Sequence, residues 1–172
     1  MKPTFRLALA SLLTLVAGPA LAAPQQTAPA PFKVTATVAA TCSIRNQADL
    51  SFGTYDPTSG TDLTGTTTFD FRCSKGTAYQ ISIDDGSNFG LGIAGDRAMK
   101  GANGTEYLSY LLYSDAAHTK AWGHTLGTDT VDTTSTTANW STGVKIYGVV
   151  PNTQDVSNQA YTDATVNIVV NY

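Results

Sequence analysis

The chain has few of the side chains from which metal sites and catalytic sites are built. Of its 172 residues, two are cysteine, two are histidine and 13% are charged. His118 and His124 are six positions apart, so on a strand they would share a face at a separation of about 20 Å. Neither has a serine or cysteine nucleophile nearby in the sequence. We therefore interpret both as surface histidines and predict no metal site and no enzymatic activity.

Carboxylates offer little more, since glutamate occurs once, as Glu106. The adjacent pair Asp84-Asp85 provides the two carboxylates that a glycosidase needs. It ends a predicted strand, where such residues mostly solvate the turn. Four aromatic side chains are candidates for a glycan-binding surface, although in β-sandwiches aromatic residues mostly pack in the core or at its rim. These aromatic candidates are Trp122, Trp140, Tyr107 and Tyr113.

Long apolar runs are confined to the first residues, which are typical of a secretory signal. Lys2 and Arg6 form the positive start, and the apolar run 7–17 is too short to span a bilayer. Residues 20–22 read A-x-A, which predicts cleavage after Ala22. The alternative is a retained membrane anchor. No other segment is apolar enough to cross a membrane.

Basic residues are scarce as well. Cleavage would remove Lys2 and Arg6, leaving 10 − 2 = 8 basic against 13 acidic residues, a net charge of −5. The absence of a basic patch argues against nucleic acid or an anionic membrane surface as a partner. The processed length of 172 − 22 = 150 residues suits a single domain.

Cys42 and Cys73 are the only cysteines. In an exported protein, two cysteines most simply form one disulfide, whereas a metal site would need further ligands. Closing a loop of about 32 residues would stabilise the fold by about 3–4 kcal/mol in the chain-entropy model. We therefore predict a Cys42–Cys73 disulfide.

Alternating apolar and polar residues recur between clusters of Gly, Pro, Asn and Asp, and no window has a helical period. This pattern predicts an all-β sandwich or barrel. The Thr-rich stretch 125–142 is compatible with either a long surface loop or weak edge strands. The predicted strands cover 49–55, 66–73, 78–84, 107–113, 144–150 and 164–172.

The stretch 90–95 matches G-x-G-x-x-G literally. A dinucleotide site needs a helix that begins at the third glycine and a surrounding βαβ unit. The residues that follow are too few before Gly101, and no such unit surrounds them. We interpret the stretch as a mobile hairpin loop and predict no small-molecule cofactor.

Residues 32–44 form the longest alternating stretch. Apolar and polar positions alternate over thirteen residues, which would extend about 43 Å as a strand. An ordinary strand spans only about 17–20 Å. No Gly, Pro, Asn or Asp interrupts the stretch, so nothing favours a hairpin. Half of this predicted strand therefore overhangs its own domain and is suited to joining subunits.

Several separated motifs, taken in order, resemble those of the spore coat protein U domain family, the subunit type of archaic chaperone–usher pili. Each motif alone is weak, but their order and spacing over residues 32–172 are specific. The motifs are ATCSI at 40–44, LSFGTY at 50–55, Cys73 after a Thr-rich strand, RAM at 97–99, LSYLLYSD at 108–115, WG at 122–123, YG at 147–148 with Pro151, and YTD at 161–163.

The resemblance implies an incomplete immunoglobulin-like β-sandwich completed by a donor strand from another subunit. After the signal peptide predicted at 1–22, it implies a flexible leader with the donor strand at 23–39 and a pilin domain at 40–172. It also implies three kinds of partner, namely a periplasmic chaperone, an outer-membrane usher and neighbouring subunits. The protein would pass through the periplasm to the cell surface.

The implied assembly is β-augmentation, in which main-chain hydrogen bonds give affinity and alternate side chains fill pockets. The implied donor residues, which we call the plug residues, are Phe32, Val34, Ala36 and Val38. The implied acceptor groove is lined by Ile44, Val166, Ile168 and Val170. The Cys42–Cys73 disulfide would attach the first strand to its neighbour.

Three functions stay open from the sequence. The first is a structural pilus subunit that supports adhesion or biofilm formation, since an N-terminal donor strand argues against a tip adhesin. The second is a spore- or cell-coat protein that uses the same assembly. The third is a self-complete, lectin-like module, in which residues 32–38 fold onto their own domain through a bend at Ala39-Ala40.

Overall fold

The computed structural model describes residues 23–172, and these residues form nine β-strands and no helix. The predicted signal peptide lies outside the described residues. No helix suited to crossing a membrane occurs among residues 23–172. The strands are β1 Cys42–Arg45, β2 Leu63–Cys73, β3 Ala78–Ile83, β4 Arg97–Gly101, β5 Tyr107–Tyr113, β6 Val131–Thr134, β7 Ser141–Val150, β8 Tyr161–Thr162 and β9 Ile168–Asn171.

The strands form two sheets. The larger sheet has the order β1-β2-β7-β5-β4-β8, and the smaller sheet has the order β6-β3-β9. All of these pairings are antiparallel. The chain divides after Ala36 into two units, and Thr37–Tyr172 holds all nine strands. The all-β prediction is confirmed.

The hydrophobic core is built from the inward faces of both sheets. Phe69, Phe71 and Cys73 alternate along β2 and are buried, as the sequence pattern predicts. Ile81 and Ile83 of β3 supply the opposing side. Alternation buries one face of each strand because successive side chains point to opposite sides of the sheet. The rest of the core comprises Leu108, Tyr110, Leu112, Trp122, Ile146 and Val150.

The predicted strand at 49–55 is wrong, because this segment is irregular in the structure. Its alternation has a different cause. Gly65 and Gly148 face each other in the β2–β7 ladder, and the side chains of Leu50 and Phe52 lie over this bare backbone. A Cβ atom on Gly148 would be only 2.7 Å from side-chain atoms of Leu50 and Phe52. Both side chains therefore pack onto the sheet from a loop, without joining a ladder.

The thirteen-residue strand predicted at 32–44 is also wrong as a single element. Only Cys42–Arg45 forms a strand, and residues 32–41 are exposed and have no regular secondary structure. Regular strand geometry needs a neighbouring ladder to satisfy its backbone groups. The length of the stretch 32–44 predicted that its first half has no partner strand in its own domain. The structure agrees, since β1 pairs with β2 only from Cys42 onward.

Further differences concern the extent and the number of the predicted strands. The segment 164–172 forms a strand only at Ile168–Asn171, while Asn167 is held by side-chain bonds. Within the stretch 125–142, β6 Val131–Thr134 is a short edge strand, one of the two alternatives left open. The strand β4 was not predicted, because its first residue is an arginine that the fold buries.

Candidate functional site

Among the described strands, four have a neighbour on one side only, β1 and β8 in the larger sheet and β6 and β9 in the smaller, and two of these, β1 and β9, lie close to each other. β1 ends the larger sheet beside β2, and β9 ends the smaller sheet beside β3. Within residues 23–172 no strand pairs with the outer edge of either one. β1 and β9 approach each other across the sandwich. The backbone N–H and C=O groups along both outer edges are therefore open to pairing with an added strand.

Apolar side chains line the space between these edges, which we call the open cleft. Ile44 projects from β1, and Val166, Ile168 and Val170 follow one another at every second position towards and along β9. All four are half-buried and pack against the core. Val169, on the opposite face, is 45% exposed. The structure thus brings the four predicted groove residues together; their role as a groove stays a prediction.

The plug residues are presented differently. Phe32 is 84% exposed and Val34 is 80% exposed, within residues 23–36, which form a unit without strands. Val38 is 85% exposed, and Ala36 is exposed as well. The role of the plug residues as a donor strand stays a prediction.

The predicted disulfide is confirmed. Cys42 and Cys73 are bonded and lie opposite each other in the β1–β2 ladder, with their Cα atoms 4.1 Å apart. Ser74 adds hydrogen bonds next to this cross-link. Its backbone N–H donates to the Thr41 carbonyl at 2.8 Å, and its hydroxyl accepts from the Thr41 N–H at 2.9 Å. The beginning of β1 is therefore attached firmly to β2.

A carboxylate holds the other end of β1. Asp70 accepts hydrogen bonds from the Gly143 N–H at 2.9 Å and from the Asn46 side chain at 2.7 Å, and it forms an ion pair with Arg45 at 3.4 Å. The bond from Gly143, followed by that from Asn46, holds the pKa of Asp70 below its ordinary value. The guanidinium of Arg45 also stacks 3.8 Å from the ring centroid of Trp140.

Acid is expected to weaken this attachment. A carboxyl group whose pKa is lower in the folded state stabilises the fold at pH values above its unfolded pKa. That contribution disappears as the pH falls through the folded pKa. Asp70→Asn should therefore unfold at lower urea than the wild type at pH 7, and the two midpoints should converge near pH 2. A difference between the midpoints that stays constant down to that pH would contradict this role for Asp70.

Two of the four aromatic candidates for a glycan surface, Trp122 and Trp140, have no free ring face. Trp122 is 1% exposed and donates from its indole N–H to the Ile81 carbonyl at 2.8 Å, so it belongs to the core. Trp140 is half-buried beneath Arg45 and Arg72. Tyr113 packs against His118. Trp122 therefore has no face available to a sugar ring, and the indole of Trp140 is covered by guanidinium groups.

The two histidines and the glycine-rich loop at 90–95 are the remaining candidate sites. His124 is exposed and lies 3.3 Å from Asp85, whereas His118 is half-buried between Tyr113 and Tyr147, unlike the predicted surface histidine. Within residues 23–172 no group of three or more His, Cys, Asp or Glu side chains is placed to bind a metal. The glycines of 90–95 lie in an exposed loop between β3 and β4 with no helix after it. This loop lacks the helix N-terminus that a dinucleotide site requires.

A comparison with known families and proteins gives the same reading as the motifs. The family model of the spore coat protein U domain matches residues 28–168. The chain belongs to the spore coat protein U domain family. Protein U of Myxococcus xanthus is 36% identical to it over 151 residues, which cover 81% of this chain and 83% of that protein. The spore coat protein U match includes the plug residues as well as the open cleft up to Ile168.

The fold of this spore coat protein U domain also occurs in a solved structure. That structure is the chaperone–tip adhesion subunit pre-assembly complex CsuC–CsuE from the archaic chaperone–usher Csu pili of Acinetobacter baumannii. One of its chains superposes with a TM-score of 0.52 at 23% sequence identity. The alignment covers 79% of this chain and 41% of that one. The predicted incomplete immunoglobulin-like sandwich agrees with this fold.

Proposed function

We propose that this protein is a structural subunit of a chaperone–usher surface pilus, polymerised by donor-strand exchange. The plug residues of one copy would enter the open cleft of the next. The observation that carries the proposal is the match between an apolar cleft with two unpaired strand edges and an exposed segment with apolar residues at every second position. Such a segment pairs with both edges through its backbone and fills the cleft with its side chains.

Burial of the plug residues would contribute to the stability of the contact between subunits. Burying a Val or Phe side chain contributes about 1.5–3 kcal/mol, and Phe32, Val34 and Val38 would all leave water. Backbone hydrogen bonds to two strand edges add to this. The role is structural, and it involves no reaction and no cofactor.

Three partners follow from this function. A subunit with an open cleft exposes apolar surface before assembly, so a periplasmic chaperone would occupy the cleft first. The solved complex of similar fold is one between a chaperone and a pilus subunit, which supports this partner. An outer-membrane usher would then exchange the chaperone for the plug residues of a neighbouring subunit. The assembled protein would lie on the cell surface and support adhesion or biofilm formation.

A charge introduced at the plug should block polymerisation. The exported chain carrying Val34→Asp, produced together with its chaperone, is expected to be captured normally but to form no ladder of species that resist mild denaturant. The reason is that an aspartate entering an apolar cleft has no partner for its charge. The measurement is native and denaturing electrophoresis of the purified surface material.

Thr35→Asp is the matched control, because position 35 faces away from the cleft when position 34 faces it. It should assemble as the wild type does. Deletion of residues 23–38 should give a monomer that forms no polymer. A wild-type chain that stays monomeric and stable without a chaperone would overturn the proposal, and loss of chaperone capture by Val34→Asp would place Val34 in the domain itself.

The second candidate function is a spore- or cell-coat protein assembled in the same way. The family description and the relative Protein U favour it. It differs from the pilus only in the shape of the product, so electron microscopy of the assembled material distinguishes a thin fibre from a continuous layer. The lectin-like alternative has less support, because residues 32–38 lie exposed and Trp122 is buried.

A further inference from the structure

A buried arginine holds the end of β3 against the beginning of β4. Arg97 is 7% exposed and begins β4. Its Nε donates to the Asp84 carbonyl at 2.7 Å, and its Nη2 donates to the Ile83 and Trp122 carbonyls at 2.8 and 3.0 Å. Asp85 lies 4.0 Å from the same guanidinium nitrogen. Arg97 thus joins the larger sheet to the last residue of β3 and fixes the backbone of Asp84.

Asp84 in turn holds the residue that precedes β9. Its two carboxylate oxygens accept hydrogen bonds from the Asn167 N–H at 2.9 Å and from the Asn167 side-chain amide at 2.6 Å. The backbone N–H of Asp84 donates to the Asn167 carbonyl at 3.0 Å. We call these three bonds the Asp84 clasp. The expectation that Asp84 only solvates a turn is therefore wrong.

The clasp acts on a strand that has little else to hold it. β9 has four residues and pairs with β3 alone. At its other end, the Asn171 side chain donates to the Gln80 carbonyl at 3.2 Å and to the Ser82 hydroxyl at 3.0 Å. An edge strand without a second neighbour lacks half of its ladder hydrogen bonds, so its ends fray readily. Side-chain bonds at both ends compensate for the missing neighbour.

Charge strengthens the clasp. Burial alone would raise the pKa of Asp84, but the hydrogen bonds from Asn167 and Gly86 outweigh it and hold the pKa below its ordinary value. The group is thus a carboxylate at neutral pH. Hydrogen bonds to a carboxylate are about twice as strong as those between neutral groups.

We propose that Asp84, itself positioned by Arg97, is a positioning residue that fixes β9 in register and so keeps the open cleft ready for an incoming strand. The proposal rests on the donor-strand function above. It assigns to Asp84 no contact with the incoming strand. Without the clasp, Val166 and Ile168 would lose their alignment, and a strand entering the cleft would first have to reorder β9.

The test compares Asp84→Asn with Asp85→Asn in the full chain carrying Val34→Asp, which we call the plug-blocked chain, because its copies are not expected to fill the cleft of one another. Asp85→Asn is the matched control, because it changes the adjacent carboxylate, which touches Arg97 and His124 but makes no hydrogen bond to Asn167. Asn167→Ala is a milder second variant that removes only the side-chain donor. The two measurements are hydrogen exchange of residues 168–171 and the Kd of a synthetic peptide with the sequence of residues 28–40.

Asp84→Asn should increase the exchange rate of residues 168–171 and the Kd of the peptide about tenfold, the effect of losing one charge-assisted hydrogen bond. Asn167→Ala should shift both in the same direction, and Asp85→Asn should leave both within about twofold of the plug-blocked chain. Unchanged exchange at 168–171 in Asp84→Asn and Asn167→Ala would overturn the positioning role. Failure of the peptide to bind the plug-blocked chain would overturn the donor-strand function instead, and exchange would still report on the clasp.

Discussion

Trp122→Ala is expected to lower the free energy of unfolding by about 3–5 kcal/mol, the usual effect of truncating a buried aromatic side chain. The indole is 1% exposed and lies with its ring centroid 6.1 Å from that of Phe69. Its N–H donates to the Ile81 carbonyl of the opposing sheet, and that acceptor would be left unpaired. Since domains are stable by only about 5–15 kcal/mol, this loss is a large fraction of the total stability.

Trp140→Ala is the matched control, since it removes the same side chain from the surface. Trp140 is half-buried and contacts Arg45 and Arg72, an arrangement worth about 0.5–1 kcal/mol at exposed sites. Urea unfolding followed by circular dichroism measures both variants. Equal losses in the two variants would contradict the assignment of Trp122 to the core.

Removing the disulfide is expected to have the next largest effect. The cysteines are 31 positions apart, and opening a loop of this length costs about 3–4 kcal/mol in the chain-entropy model. The double variant Cys42→Ser, Cys73→Ser should therefore unfold at markedly lower urea. β1 has only four residues and a single neighbour, so it should detach before the rest of the domain. Hydrogen exchange of residues 42–45 measures this directly.

The wild type treated with a thiol reductant serves as the control for the two serines. It should reach the same urea midpoint as the double variant. Binding of the peptide with the sequence of residues 28–40 should be lost in both, because Ile44 leaves the cleft together with β1. A double variant with the urea midpoint of the wild type would show that the β1–β2 ladder alone holds this edge.

Strands that lie within a sheet were predictable from the sequence. The strand β5 has the predicted bounds, because its apolar run is long and ends at polar residues. The alternation of Phe69, Phe71 and Cys73 also predicted which face of β2 is buried. The local pattern of apolar residues is enough to predict a strand that has neighbours on both sides and at least one buried face.

Contacts between distant parts of the chain were not predictable. The alternation at Leu50 and Phe52 resembles a strand, and only the facing pair Gly65 and Gly148 explains why the segment lies over the sheet instead. Trp122 was a surface candidate because nothing local shows that it fills the core. A single sequence holds no record of which residues meet across such separations.

The residues that hold the cleft were missed for the same reason. Asp84 and Asn167 are 83 positions apart, and Asp70 bonds to Gly143 from 73 positions away. A buried Arg97 runs against the general rule that arginine stays exposed. The only local signal was the family motif RAM at 97–99, which marked the position without showing its contacts.

The attachment of β1 has a mechanical consequence. In a fibre, a pulling force on one subunit would enter through the segment before Thr41 and reach the covalent bond between Cys42 and Cys73 after a single residue. From there it would pass into β2, an eleven-residue strand paired over most of its length with β7. Tension would therefore bypass the four weak rungs between β1 and β2. In the proposed fibre, the disulfide would thus protect the β1–β2 ladder from the load that the segment before Thr41 transmits.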